Sequence, residues 1–193
     1  MWKEILPGLR INIFLTLVLG VVYPLAITGI CQVAFPHQAN GSLITSGNKV
    51  IGSELIGQNF AKPEYFQPRP SAAGNDGYDA TSSNGSNYGP TNQKLIDRVK
   101  ASVEKFHKDN PDYRGPIPAD LLTASASGLD PDISPDSALA QAPRIAKARG
   151  VSVEQINQLI AQSTQPPALG ILGEPRVNVL KLNLALDQQL PRR

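Results

Sequence analysis

The sequence predicts an α+β protein, with one N-terminal transmembrane helix followed by a single, mainly helical outer domain that carries a small β-hairpin. Three features predict it. Residues 11–35 contain no Asp, Glu, Lys or Arg, and none follows until Lys49. Further along, several segments space apolar residues close to the 3.6-residue period of a helix. Between these regions, two short apolar runs flank Ser46-Gly47-Asn48, which is a hairpin pattern.

The uncharged run of 25 residues sets the organisation. At about 1.5 Å per residue it reaches roughly 37 Å, enough to cross a hydrocarbon core of about 30 Å with some tilt. Asn12, Thr16, Gly20, Pro24, Thr28 and Gln32 recur at every fourth position, among Leu, Ile, Val and Phe. Residues four apart are neighbours on a helix, so the span carries one small or polar stripe. Small residues let backbones approach and polar ones hydrogen-bond between helices, so the stripe reads as a partner-helix interface. The alternative is local: Thr bonding to its own helix, a kink at Pro24, and Asn12 and Gln32 at headgroup depth.

Lys3 and Arg10 precede the run, against Glu4, whereas residues 36–48 hold no Lys or Arg. The positive-inside rule then places residues 1–10 in the cytoplasm and residues 36–193 outside, joined by a single pass over 11–35. The run exceeds an ordinary signal-peptide core, and Ala34-Phe35-Pro36-His37 offers no small-x-small cleavage site. Ile30 before Cys31 does not fit a lipoprotein signal either, so the run reads as an uncleaved anchor, with a signal peptide as the alternative.

Residues 36–193 hold 16 Lys plus Arg and 15 Asp plus Glu, a balance that argues against a nucleic-acid surface. Cys31, the only cysteine, lies in the span, so packing rather than a disulfide must hold the outer domain. Its first element is the hairpin over 41–58, with Gly47 or Asn48 taking the positive φ. Residues 70–92 contain 14 Ser, Gly, Asn or Pro among 23 and show no period, so they form a long loop. Tyr65, Phe66, Tyr78 and Tyr88 lie in or near it, and the loop is read as ordered and contact-making.

Residues 91–110 form a helix with Leu95, Ile96, Val99, Val103 and Phe106 on one side, ended by Pro111. Residues 116–135 are turn-rich, and Ser134-Pro135 reads as cap and first residue of a helix. Pro143 is expected to divide the segment after this cap into two short helices, about 135–142 and 143–149, closed by Gly150. Ser152-Val153-Glu154-Gln155 is a capping box for a helix to about Ser163, with Val153, Ile156, Leu159 and Ile160 inward. Residues 176–190 fit period two and helical spacing alike, and are read as a helix.

The usual catalytic patterns are missing. His37 and His107 lack second ligands at useful spacing, so no metal site is expected. Neither a Gly-x-Ser-x-Gly elbow nor a glycine-rich phosphate loop occurs, so no catalytic residue is expected. Ser83-Asn84-Gly85-Ser86-Asn87 offers backbone N–H groups for an anion nest, with Ser83, Gly85, Ser86 and Asn87 as candidate nucleotide contacts and a plain polar turn as the alternative. Asp130 reads as a turn residue before Pro131.

Many short motifs together are similar to those of the C subunits of bacterial Kdp potassium-transporting P-type ATPases, over almost the whole chain. They include Tyr23-Pro24-Leu25, Gly41-Ser42-Leu43, Leu55-Ile56-Gly57-Gln58, Arg69-Pro70-Ser71 and Tyr78-Asp79-Ala80. Thr123-Ala124-Ser125 through Pro131, Ile133-Ser134-Pro135, residues 141–144, Arg176-Val177-Asn178-Val179-Leu180 and Leu182-Asn183 complete the set. Asn84 and Asp132 depart from the family's frequent Gly and His.

The resemblance implies a four-subunit complex of the inner (plasma) membrane that imports K⁺ at the expense of ATP. Its other members are a channel-like potassium-selecting subunit, a P-type ATPase subunit and a small single-helix subunit. It implies a non-catalytic accessory subunit that assists assembly and raises the pump's affinity for ATP, with no covalently bound cofactor and ATP entering through the complex. The topology read from the flanking charges puts the domain opposite to cytoplasmic ATP, and so favours a structural role at the outer mouth of the ion-selecting subunit. Direct nucleotide binding, which needs inverted topology or long-range coupling, and an anchored outer-face hydrolase using a loop Ser are the alternatives.

Overall fold

The computed structural model describes residues 2–191. The chain divides into two compact units, Met1–Ile51 and Gly52–Arg193.

The first unit is dominated by one continuous helix. It runs as α1 (Trp2–Leu17), a π-helical turn (Val18–Val22) and α2 (Tyr23–Ala34). Pro24 explains the wide turn. It has no N–H to donate to the Gly20 carbonyl, and its ring crowds the preceding turn. The Tyr23 N–H bonds instead to the Val18 carbonyl, five residues back. Such a bulge is one of the identifiable causes of helix bending. Lys3–Ala34 spans 32 residues, long and apolar enough to cross a membrane, with its side chains unburied by the rest of the chain. The helix therefore begins earlier than the uncharged run, and its first turns carry Lys3, Glu4 and Arg10.

Phe35 leaves helical geometry at φ −138°, and one further turn, α3 (Pro36–Ala39), follows. Asn40 fastens it, its amide bonding to the Pro36 carbonyl (2.7 Å) and to the Gln32 side chain (3.3 Å). The expected hairpin comes next as β1 (Leu43–Ser46) and β2 (Lys49–Ser53), with Gly47 at φ +60° in the turn.

The second unit is built on three helices and a small sheet. They are α5 (Pro135–Arg149), α6 (Val153–Ser163) and α7 (Val179–Gln189), preceded in the chain by α4 (Gln93–Asp109). The sheet has β3 (Asp132–Ile133) and β4 (Thr164–Gln165) on either side of β5 (Arg176–Asn178), all antiparallel. Val177 faces Ile133 on one side and Thr164 on the other. The main core gathers Phe66, Ile133, Ile145, Ile156, Leu159, Ile160, Val177, Leu182 and Leu186. A smaller cluster of Phe106, Leu121 and Ala140 holds α4. Only Phe106 of the α4 apolar face is buried. Leu95, Val99 and Val103 are half-buried and Ile96 is exposed.

Local signals place the helix ends. Ser134 Oγ accepts from the Ser137 N–H (3.1 Å) ahead of Pro135, and Gly150 closes α5 at φ +67°. Ser152 and Gln155 make both bonds of the capping box. Two expectations change. Pro143 does not divide the helix, and α5 runs unbroken from 135 to 149. Pro143 lies in register with Leu139 and Lys147, both exposed, so the Leu139 carbonyl that loses its donor faces the wet side. Residues 176–190 are not helix throughout: 176–178 are strand, and the helix, which holds Leu180, Leu182, Leu184 and Leu186, begins after a cap at Asn178, whose side chain accepts from the Lys181 N–H (3.1 Å).

Candidate functional site

No regular element occurs between Ser53 and Gln93, yet the core of this stretch is fixed in place. Side chains from distant helices supply the hydrogen bonds that a neighbouring strand would supply. Asn183 of α7 takes the Phe66 N–H (2.8 Å) and donates to the Phe66 carbonyl (3.0 Å). Gln141 of α5 does the same for Gln67, at 2.8 and 3.1 Å. Arg144 donates to the carbonyls of Pro63 and Tyr65, to Asn110 Oδ1 and to Gln141 Oε1. Arg149, its side chain fully buried, bonds to the Glu64 carbonyl (3.0 Å) and to Asp187 (2.7 Å), and its guanidinium lies 5.1 Å from the centre of the Tyr65 ring. Burial lowers the Arg144 pKa to about 10, against the raising influence of Asp109 and Glu64. Sequence reasoning missed this network. Its signal was a polar residue at an inward helix position: Gln141 beside Ala138, Ala142 and Ile145, and Asn183 beside Leu182 and Leu186.

The loop beyond is tied to residues 125–130. Arg69 pairs with Asp130 (2.8 Å), whose other oxygen accepts from the Asp132 N–H (3.0 Å), so Asp130 is both a turn residue and an anchor. Ser71 Oγ donates to the Gly128 carbonyl (2.6 Å) and accepts from the Tyr78 N–H (2.8 Å). The Tyr78 hydroxyl donates to the Arg69 carbonyl, and burial pushes its pKa upward. The loop is thus ordered and contact-making, as its aromatics suggest. Together with α4 it walls a groove of about 520 Å³ lined by Phe60, Pro68, Tyr78, Lys105 and Phe106.

The candidate nest lies on this same seam. Ser83 Oγ (3.0 Å) and the Asn84 N–H (2.9 Å) both donate to the Ser127 carbonyl. Gly85 is buried, and a Cβ there would fall 2.7 Å from the Ala126 carbonyl oxygen, so the two backbones touch where only glycine fits. Ser86 is half-buried and Asn87 takes φ +50°. The segment pairs with the 125–128 turn, and the Asn84 N–H faces Ser127 rather than an open concavity.

The membrane helix brings part of its stripe together. Thr16 Oγ1 donates to Asn12 Oδ1 (3.4 Å), and a Cβ on Gly20 would lie 3.9 Å from the Thr16 methyl. The π-helical turn takes more residues per turn than an α-helix, which offsets part of the drift of a four-residue step. Pro24 and Thr28 are exposed, and Gln32 exchanges side-chain hydrogen bonds with Asn40. Asp132, beside Asn178 and Arg176, has its pKa raised mainly by burial. Among the described residues no three His, Cys, Asp or Glu side chains converge on a metal-sized space, and His107 packs edge-on against Phe106.

Comparison with known proteins agrees with this picture. The family model "K+-transporting ATPase, c chain" matches residues 5–188. A potassium-transporting ATPase KdpC subunit of Rhodospirillum rubrum is 54% identical over 191 residues, covering 99% of this chain and 98% of that protein. The KdpC subunit of Caulobacter vibrioides is 55% identical over 192 residues, covering 99% and 96%. That of Rhodopseudomonas palustris is 52% identical over the full length of both. With the family model matching nearly the whole chain and identity above one half from end to end, the chain belongs to the KdpC family, the c chains of K⁺-transporting ATPases.

Proposed function

We propose that this chain is the non-catalytic accessory subunit of an ATP-driven potassium uptake complex, anchored by one helix and needed for assembly and for efficient ATP use by the pump subunit. Full-length identity to KdpC subunits carries the reading. Its partners are then the potassium-selecting subunit, the P-type ATPase subunit and the small single-helix subunit. The anchor contributes the striped face of Asn12, Thr16, Gly20, Pro24, Thr28 and Gln32, because polar groups in lipid are retained where they meet protein. Lys3 and Arg10 on one flank, and no Lys or Arg over 36–48, orient the N-terminus to the cytoplasm and the domain outward. ATP is then used by the complex through another subunit, and the chain influences it by coupling across the assembly.

Two experiments test this. The tagged chain, expressed in its host under potassium limitation and extracted in mild detergent, is expected to bring down a P-type ATPase subunit in fixed ratio, and Gly20→Leu is expected to reduce that yield. Recovery of the chain alone would refute the accessory role. Orientation is read with Lys108→Cys on a Cys31→Ser background. A membrane-impermeant maleimide should label intact spheroplasts, and labelling only after lysis would invert the topology.

A further inference from the structure

The turn between β4 and β5 exposes a compact apolar tip. Leu169 is 88% and Ile171 82% exposed, while outside the membrane helix no other large apolar side chain among the described residues exceeds 61%. Leu172 adds to the same patch. An exposed cluster of this kind on an otherwise polar surface marks an interaction site.

The tip is built rather than loose. Pro166 and Pro167 lead in and Pro175 leads out. Ala168 and Leu172 exchange both backbone hydrogen bonds (2.8 and 2.9 Å), and the Gly170 N–H returns to the Pro167 carbonyl (3.0 Å). Leu169 stands at φ +54°, a left-handed conformation that a branched apolar residue rarely adopts. The turn is rooted through β5 at Val177, which is fully buried. A preorganised tip loses little freedom on binding.

Charge selects the occupant. Residues 164–175 contain no Lys, Arg, Trp or Tyr, the residues that seat a loop at a bilayer surface. Their single charge is Glu174, which is exposed and forms no ion pair among the described residues, whereas neighbouring Arg176 is paired with Asp132. Anionic headgroups repel Glu174. A two-fold contact with a second copy would set Glu174 against its own image. An apolar tip edged by one acidic group complements an apolar socket with a basic rim.

We propose that the turn at 166–173 is a plug that seats in such a socket on another subunit of the transport complex, a placement that rests on the accessory-subunit reading. A photoreactive phenylalanine analogue in place of Ile171, in the full chain within the purified complex, is expected to crosslink to one other subunit, and Glu174→Lys to cut that yield several-fold. Crosslinking only to lipid, to a second copy of this chain, or to nothing while the complex stays intact would overturn the plug and leave the accessory reading standing. If the unmodified chain forms no complex, both fall. The double variant Leu169→Asn, Ile171→Ser suits the backbone, since Asn tolerates a positive φ. Its complex should dissociate about tenfold faster on dilution at an unchanged melting temperature. An unchanged dissociation rate overturns the plug.

Discussion

Residues 135–189 bury Ile145, Ile156, Leu182 and Leu186 on helices whose own backbones close most of their hydrogen bonds, whereas 54–92 contain no helix or strand and leave that task to side chains. Four residues of α5 and α7 (Gln141, Arg144, Arg149 and Asn183) satisfy the backbone of 63–67 one group at a time. The difference shows how a turn-rich stretch becomes ordered without secondary structure. A buried backbone group must find a partner, and a helix can offer one by placing an amide or guanidinium where an apolar residue would otherwise pack. The helical layer stands on packing, and the irregular layer stands on the helical one.

The comparison breaks most visibly at Arg144. Arg144→Leu removes donors from the Pro63 and Tyr65 carbonyls and from Asn110 Oδ1, and one of the two donors to Gln141 Oε1, which should cost about 3–5 kcal/mol in denaturant unfolding of the full chain in detergent. A loss below about 1 kcal/mol would mean that the network adds little beyond ordinary surface polarity. Asn183→Leu keeps the volume but orphans both polar groups of Phe66, for about 2–4 kcal/mol and a selective loss of amide protection near residue 66. Ser152→Ala sharpens the contrast from the other side. It opens the capping box of α6 for about 1 kcal/mol and should leave protection at 63–67 untouched.

The smallest effect is a pH dependence at the sheet. Burial raises the Asp132 pKa in the folded state, so its contribution to stability is fully present below the unfolded carboxylate pKa and is lost as pH rises through the folded value. Asp132→Asn removes that titration. The melting temperature of the variant minus that of the parent should be more positive at pH 7 than at pH 3.5, and a difference independent of pH would remove burial as the dominant influence.

Legibility in the sequence tracks the range of each interaction. The caps at Ser134 and Ser152, the stop at Gly150 and the turn at Gly47 act over three or four residues, and each element ends where those residues predict. Pro143 misled because the rule for proline is local while its cost depends on which face loses the hydrogen bond, and only the packed helix shows that Leu139 is exposed. The π-helical turn before Pro24 is the counterpart inside the anchor: the same missing donor, met by a wider turn. Residues 176–190 satisfied two periods because Leu stands at 180, 182, 184 and 186, yet all four lie in the helix, and the strand is confined to 176–178 before them. The anchoring of the loop was out of reach. Arg69 and Asp130 lie 61 residues apart, and Phe66 and Asn183 117 apart, so no spacing rule connects them. The packing of Ser83 to Asn87 was out of reach for the same reason, since nothing local reveals that Gly85 lies against Ala126.

The dependence of the irregular layer on helical side chains is tested most directly by hydrogen exchange on the full chain in detergent, comparing the parent with Asn183→Leu at residues 63–67 and across α5 to α7. The account predicts that exchange at 63–67 rises by orders of magnitude while the interiors of α5 and α6 keep their protection. Unchanged protection at 63–67, or an equal loss throughout the domain, would contradict it.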